Sequence, residues 1–393
     1  MTRWIIRVLA FALASSPAWA DEPSLPIGSV LSQSGHLADL AAEYRKGLLL
    51  WQDEVNAGGG LLGRKVELRL LDDGSEAART GALYKQLIAD QVELFIGPYG
   101  SAASLMATAE AETARRVMVN GAAPSHAVYK RLPRYVFQSG IPYAAYGVGL
   151  LELATKQGYR KLFIVARDDP VPAEMAAGLR DAALAMGLEP SELQLHSAGT
   201  SDFGPLVLKA GAQQADAWIA FGEFHEAAEM VKTFKRMGYA PKLFFARGAA
   251  DPKLIPRIGQ DAEFSLAAID YDARSATPAN DKFVKAFTAK WSSRPGLPAA
   301  QGYSAATVLG EAVRRAGSVD RDKLRAVLGS ETIATVLGDY KVDPKTGEQV
   351  AARAALVQIL KGRREVVWPP ALETAKLVLP YPQWSERKYL KAK

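Results

Sequence analysis

The chain has 393 residues with 48 Lys or Arg, 42 Asp or Glu and no Cys, which gives a formal net charge of +6. This length allows two or three domains, and a hydrophobic content of 49% excludes wholesale disorder. Without cysteine there is no disulfide framework or thiolate nucleophile, and the short basic clusters at 130–134 and 361–364 argue against a nucleic-acid partner.

The first twenty residues have the layout of a secretory signal peptide. Arg3 and Arg7 precede a short apolar run at 8–14, and the AWA triplet at 18–20 is a small-x-small cleavage site. The alternative is an N-terminal membrane anchor, but this run is far shorter than the roughly twenty apolar residues that a bilayer requires. No cysteine follows the cleavage site, so a lipid anchor is excluded. We therefore expect cleavage after Ala20 and export of the mature protein.

Strands and helices then alternate along the first part of the mature chain. An apolar run at 27–31 predicts a strand that leads into a Ser/Gly loop, and helical spacing over 37–55 predicts a helix. Glycines at 58–63 end this helix. Further strands, separated by helices, are predicted at 66–70, 92–96 and 117–119. This order predicts a largely parallel sheet with helices on both faces.

The same pattern begins again in the second part of the chain. Strands are predicted at 135–138, 162–166, 193–196, 218–221, 243–246, 354–359 and 366–368. Helices are predicted at 143–157, 173–186, 203–213, 226–237, 281–290 and 305–315. A Pro-rich tail begins at Pro369. The sequence therefore predicts two similar α/β units in one exported chain.

The motifs that would indicate catalysis are incomplete. GGGLLG at 58–63 fits the dinucleotide fingerprint by letter, but it ends a helix and precedes a strand, whereas the fingerprint follows a strand and opens a helix. His225-Glu226 lacks the second histidine of a zinc-protease helix. Asp72-Asp73 and Asp168-Asp169 fit turns and helix caps better than acid–base pairs, because adjacent side chains diverge. We therefore expect no enzymatic activity, no metal and no cofactor.

Three small polar loops form a different kind of candidate site. Residues 32–35, 97–104 and 120–125 each follow a strand of the first unit and precede a predicted helix. Backbone N–H groups and hydroxyls should converge there, beyond the carboxyl ends of the strands, and such a site suits a carboxylate. The alternative is that Ser101 and Ser125 only cap their own helices, although capping and ligand binding are compatible.

Several stretches follow the pattern of one known family. The most specific is EVNAGGGLLGRKV at 54–66. The others are IGSVLSQSG at 27–35, Asp72-Asp73, IGP at 96–98, Tyr303, and LPYPQW at 379–384 with Arg387. Through these stretches the sequence resembles the type I periplasmic binding proteins of the Leu/Ile/Val-binding class, over essentially the whole mature chain.

The resemblance implies an α/β fold of two Rossmann-like lobes, joined by three hinge strands, with a ligand cleft between the lobes. Lobe 1 is expected to comprise residues 21–141 and 269–340, lobe 2 residues 142–268 and 341–368, and the tail residues 369–393. Members of the family close over a small ligand and deliver it to an ABC transporter permease in the inner membrane. We therefore expect a monomeric periplasmic solute-binding protein. An exported ligand sensor of the same fold and an exported enzyme with an unrecognised site are the alternatives.

The resemblance also implies ligand contacts on the first lobe. Ser101 matches the family serine that holds the ligand carboxylate. Ala123 and Ser125 fall near the loop that supplies the next carboxylate contacts, and Ser34 lies in the family's first ligand loop. We therefore expect the negative end of the ligand to bind lobe 1.

On the second lobe, the informative position is Arg247. Amino-acid binders of the family place an acidic residue there, and a cation would repel an ammonium and attract a second anionic or acceptor group. Phe224 falls near a family aromatic residue, and Val171 falls where relatives often carry a tyrosine. With Tyr99 and Tyr143 as further stacking partners, the pattern favours a carboxylate without an amine, such as an aromatic acid. The alternative is that Arg247 points to solvent or pairs with Glu223.

Overall fold

The computed structural model describes residues 23–387, so the predicted signal peptide lies outside the described residues. The strands are β1 (Leu25–Val30), β2 (Val66–Leu71), β3 (Leu94–Ile96), β4 (Val117–Asn120), β5 (Val136–Gln138), β6 (Lys161–Arg167), β7 (Glu189–Pro190), β8 (Gln194–His196), β9 (Ala217–Phe221), β10 (Leu243–Ala246), β11 (Leu266–Ile269), β12 (Ile333–Thr335), β13 (Gly338–Tyr340), β14 (Ala355–Leu360) and β15 (Arg363–Trp368). The helices are α1 (Ala38–Ala57), α2 (Ala77–Ala89), α3 (Ser101–Thr113), α4 (Val148–Lys156), α5 (Pro170–Ala185), α6 (Gly204–Ala212), α7 (Phe224–Met237), α8 (Leu254–Ile258), α9 (Pro278–Trp291), α10 (Leu297–Ala316) and α11 (Arg321–Ser330).

Two large sheets form the centres of two lobes, which confirms the predicted α/β fold. The first sheet has the order β2-β1-β3-β4-β5, and all its neighbouring strands are parallel. The second has the order β15-β14-β11-β10-β9-β6-β7, with β8 also paired to β6. It is parallel from β7 to β11, whereas β14 and β15 are antiparallel. Most of the central strands are buried on both faces, which explains their nearly continuous apolar runs.

The chain passes between the two sheets three times. It leaves the first sheet at 139–142, returns at 270–277 to place α9, α10 and α11 beside the first lobe, and crosses again at 341–354 before β14. Three such connections agree with the predicted hinge. The exact division of the chain into lobes stays a prediction.

The first lobe is held together by the close crossing of α1 and α10. A Cβ atom at Gly47 would lie 2.1 Å from the carbonyl oxygen of Ala299, and one at Gly302 would lie 2.3 Å from that of Tyr44. Glycine at these two positions lets the helix backbones approach directly. The contact buries Leu48, Trp51 and Leu309 against the sheet.

Some predicted elements were wrong or were missed. The helix expected over 143–157 is a 3₁₀ turn at Tyr143–Ala145 followed by α4, because Pro142 and Gly147 flank the turn with non-helical backbone. β11 was not predicted, since its sequence LAAI carries only a weak strand signal. The short helix α8 and the polar helix α11 were also missed.

The predicted Pro-rich tail is packed onto the second lobe as far as residue 387. Tyr381 is buried with its ring 5.6 Å from that of Phe244. Nε1 of Trp384 donates a hydrogen bond to the carbonyl of Tyr239 at 2.8 Å, and the Arg387 guanidinium stacks 3.6 Å from the Trp384 ring. This part of the tail is therefore an integral part of the fold.

Candidate functional site

The polar loops of the two lobes meet at the carboxyl ends of their parallel strands. From lobe 1, the loops after β3 and β4 carry Ser101 and Ser125. From lobe 2, Glu174 in α5 reaches these loops, and the N–H of Tyr143 donates to the carbonyl of Pro124 at 2.9 Å. Ligands of open α/β sheets bind at this end of the strands, so we take this junction as the candidate site.

Ser101 and Ser125 form a connected pair on lobe 1. Oγ of Ser101, the first residue of α3, accepts a hydrogen bond from the Ser125 N–H at 3.2 Å. Oγ of Ser125 accepts one from the Ala127 N–H at 3.3 Å and so caps the short turn at His126–Val128. Capping therefore applies to Ser125, whereas the N-cap of the helix that Ser101 begins is Gly100. The Ser101 hydroxyl keeps its own proton for donation.

A carboxylate of the protein itself binds to this loop. The Ser125 hydroxyl donates to Oε2 of Glu174 at 2.7 Å, and the His126 N–H donates to Oε1 of the same residue at 2.7 Å. Both bonds join lobe 2 to lobe 1. Glu174 was not identified from sequence, because a lone polar residue in the first turns of a helix gives no signal of a partner in another lobe.

The other predicted residues of lobe 1 have different surroundings. Ala123 is buried in the lobe, and its carbonyl accepts a hydrogen bond from Nε2 of Gln138 at 2.9 Å. Ser34 is exposed and donates to Oδ2 of Asp72 at 3.1 Å. The N–H groups of Gly74 and Gln33 also bind that carboxylate and hold the pKa of Asp72 below its usual range. The hydrogen bonds of Ser34 therefore tie it to the loop after β2 and not to Ser101.

Two partly buried tyrosines lie near the junction, one on each side. Tyr99 of lobe 1 packs edge-on against Tyr44, with ring centroids 5.9 Å apart. Burial raises the pKa of Tyr99, and Tyr143 adds to this shift. Burial also raises the pKa of Tyr143, with Arg247 opposing the shift and Glu174 and Asp270 reinforcing it. Tyr143 is thus surrounded by the charged groups of the junction.

Arg247 is part of a charged cluster at the strand ends of lobe 2. Its Nη1 donates to Oε1 of Glu223 at 2.9 Å, so the alternative pairing considered from sequence is present. Gly248 permits this contact, because a Cβ there would lie 2.1 Å from the carbonyl oxygen of Glu223. Burial opposes the charge of Arg247, but its neighbours, chiefly Glu223, outweigh burial and raise its pKa. Arg247 stays partly buried beside Tyr143 and Tyr146 and is not directed into solvent.

Arg167 completes the cluster. Its guanidinium lies 3.7 Å from Glu223 and 3.6 Å from the fully buried Glu226. Oε2 of Glu226 accepts a hydrogen bond from the Glu223 N–H at 2.7 Å, which begins α7 with a capping box. Arg167 also pairs with Asp169, so it has three carboxylate neighbours, and Glu223 lies between the two guanidinium groups. Because a guanidinium has five N–H donors, Arg247 can donate to a further acceptor.

Phe224 and Val171 lie at the starts of lobe 2 helices. Phe224 opens α7, its ring is edge-on to His225 at 5.6 Å, and Nζ of Lys253 lies 5.6 Å from the ring centre. Val171 lies in the first turn of α5 and packs partly against the lobe 2 core. The contacts described for these two side chains are within lobe 2.

Asp270 is the functional candidate that sequence reasoning missed. It follows β11 directly, and burial raises its pKa to about 7, with the positive charge of Arg247 opposing the shift. The residue is partly buried, but its Oδ1 is fully enclosed and accepts no hydrogen bond from the described residues. Because β11 was not predicted, the position of Asp270 at the end of a strand was not recognised.

Neither a metal-binding cluster nor a membrane-spanning helix is found in the described part of the chain. Within residues 23–387, no group of three or more His, Asp or Glu side chains is placed to hold a metal ion. Among the same residues, no helix combines the length and apolar character needed to cross a membrane.

The family model and the curated relatives that match this chain point to the same family. A family model described as periplasmic binding protein matches residues 24–364. The leucine-, isoleucine-, valine-, threonine- and alanine-binding protein of Pseudomonas aeruginosa is 23% identical over 79% of this chain and 84% of its own. The Leu/Ile/Val-binding protein homolog 8 of Brucella suis is 28% identical over 73% of this chain and 75% of its own.

Solved structures share the fold. A putative branched-chain amino acid ABC transporter protein from Rhodospirillum rubrum superposes with a TM-score of 0.79 at 21% identity, covering 88% of this chain and 100% of its own. A solute-binding protein of an ABC transporter from Rhodopseudomonas palustris, in complex with 3,4-dihydroxybenzoic acid, has a TM-score of 0.66 at 22% identity, covering 93% and 99%. The family consists of solute-binding proteins. The chain belongs to the type I periplasmic binding protein family, in its Leu/Ile/Val-binding class.

Proposed function

We propose that this protein is the periplasmic solute-binding component of an ABC importer, that it binds a small organic acid between its lobes, and that it performs no chemistry on it. The proposed acid places its carboxylate on lobe 1, at the start of α3. The first N–H groups of a helix have no partner within the helix, and they attract negative charge. The Ser101 hydroxyl adds a donor at the same place.

The observation that carries the proposal is the Glu174 carboxylate on the adjacent loop. It is bound by the Ser125 hydroxyl and the His126 N–H, each at 2.7 Å. These short bonds support the view that this edge of lobe 1 is suited to carboxylates. They also join the lobes, so Glu174 favours the closed arrangement in which a ligand is enclosed.

Arg247 supports an acid over an ordinary amino acid. An ammonium near its guanidinium would be repelled, whereas an acceptor oxygen would be attracted. The relative from Pseudomonas aeruginosa is an amino-acid-binding protein, and the structure from Rhodopseudomonas palustris holds an aromatic acid. The family thus includes both ligand classes, and Arg247 together with Tyr99 and Tyr143 favours the second for this chain.

The test is to identify the ligand that the protein carries. The mature protein is purified from its native host, denatured, and the released small molecules are analysed by mass spectrometry. An intact organic acid without an amine is the expected result. Recovery of leucine, isoleucine or valine would contradict the proposed ligand class, and conversion of an added acid to a product would contradict a pure binding role.

A further inference from the structure

Asp270 lies at the strand-end edge of the second sheet. It follows β11, next to β10, which is followed by Arg247. Glu223 and Arg167 lie at the ends of β9 and β6 along the same edge. Four adjacent parallel strands therefore carry charged side chains at the edge where open α/β sheets bind ligands.

One oxygen of the Asp270 carboxyl group receives no hydrogen bond from the described residues. This oxygen, Oδ1, is fully enclosed. The nearby cation Arg247 donates to Glu223 instead. A buried acceptor without a partner is unfavourable, so this oxygen is available to a donor that a ligand or a water molecule supplies.

The surrounding tyrosines do not satisfy this carboxyl group. The Tyr146 hydroxyl donates to the carbonyl of Ala268, two residues before Asp270. Tyr143 lies within electrostatic range of Asp270, and its N–H donates to the carbonyl of Pro124 in lobe 1 at 2.9 Å. Asp270 therefore lies near the part of lobe 2 that meets lobe 1.

We propose that Asp270 is a specificity-determining residue that accepts a hydrogen bond from a hydroxyl group of the bound acid. This inference rests on the proposed function. A hydroxyl group can donate one hydrogen bond and accept another, so it can donate to Asp270 while it accepts from Arg247. An ammonium could donate to Asp270 but could not accept from Arg247, and an unsubstituted ring could do neither. The ligand class that fits both residues is a hydroxylated acid, with its carboxylate on lobe 1 and its hydroxyl on lobe 2.

The test is titration calorimetry of the mature protein with benzoate, 4-hydroxybenzoate, 3,4-dihydroxybenzoate and leucine. For the unmodified protein at pH 8, where most of the Asp270 carboxyl group is charged, at least one hydroxylated acid is expected to bind 10-fold or more tightly than benzoate, because a hydrogen bond to a charged group is stronger than one to a neutral group. Asp270→Ala is expected to remove this preference and to change benzoate affinity less than 3-fold. Asp270→Asn, which keeps one acceptor oxygen, is expected to lose less. Asp181→Ala, at an exposed aspartate of α5, is the matched control and should change nothing.

Equal affinity for benzoate and both hydroxylated acids would overturn the role of Asp270 and leave the proposed function intact. An equal loss of benzoate and hydroxybenzoate affinity in Asp270→Ala would show a general structural role and would also overturn it. If none of the acids binds, or if leucine binds more tightly than every acid, both proposals are wrong.

Discussion

The carboxylate of Glu174 accepts a hydrogen bond from the Ser125 hydroxyl at 2.7 Å, and these two residues belong to different lobes. A second bond, from the His126 N–H to the same carboxylate, fixes its orientation. Because the proposed function requires the lobes to separate, which would break both bonds, we expect this contact to favour the closed form.

Glu174→Gln is expected to shift the ligand-free protein toward the open form. The amide keeps one acceptor but turns an N–H₂ group toward a donor, so about 1–2 kcal/mol of interlobe stabilisation should be lost, or roughly a tenfold change in the open-to-closed ratio. Small-angle X-ray scattering should show a larger radius of gyration. Glu152→Gln, at an exposed residue of α4, is the control. Identical scattering from the Glu174 variant and the unmodified protein would exclude this role.

Arg247→Glu is expected to weaken binding of hydroxylated acids by 10-fold or more. The change replaces an attracting cation with an anion, and it also places two carboxylates together at Glu223. Calorimetry with 3,4-dihydroxybenzoate measures the loss, and Arg257→Glu, at an exposed arginine of α8, controls for net charge. An affinity unchanged from that of the control would remove Arg247 from the site.

The order of strands and helices could be predicted from sequence, because buried strands and amphipathic helices have distinct apolar periods. Individual contacts between side chains could not be predicted in this way. Glu174 meets Ser125 only after two lobes have formed and docked, and no local pattern encodes that contact. The ion pair between Arg247 and Glu223 was considered from sequence as an alternative. It forms because Gly248 allows the two loops to approach closely. Asp270 was missed together with β11, since two alanines in LAAI gave little strand signal.

Asp270→Asn is expected to raise the melting temperature by several degrees, with a gain that depends on pH. The folded-state pKa of Asp270 is about 7, above its usual value of 3.8, so the folded protein favours the neutral form. The contribution of Asp270 to the free energy of unfolding is therefore fully present below about pH 4 and is lost as the pH rises toward 7. Arg247 faces the carboxyl group from the end of β10, and Tyr143 and Tyr146 face it from the segment before α4.

Thermal melts between pH 4 and pH 8 check this expectation. The gain of the Asp270→Asn variant over the unmodified protein should grow with pH and level off above about pH 7. A gain that is the same at every pH, or a variant that is less stable at pH 8, would show that the carboxylate is already well compensated in the folded protein.

Gly47→Ala is expected to destabilise lobe 1 by about 2 kcal/mol or more, because overpacking a rigid contact commonly costs 1–3 kcal/mol. The new methyl group would lie 2.1 Å from the carbonyl oxygen of Ala299, so α1 and α10 must separate. Gly211→Ala in α6 is the control, since no atom lies within 4 Å of its Cβ position. That change should stabilise the helix by about 0.5–1 kcal/mol. Urea denaturation of both variants measures the difference, and equal stabilities would contradict the tight crossing.

The proposed function requires that a small acid is enclosed between the lobes with its carboxylate on lobe 1. A crystal structure of the protein with the most tightly bound acid of the titration series would show where that carboxylate lies. We expect a carboxylate oxygen within about 2.5–3.2 Å of Ser101 Oγ or of the first N–H groups of α3, and a hydroxyl between Asp270 and Arg247. An acid that binds outside the junction of the lobes, or whose carboxylate contacts only lobe 2, would contradict it.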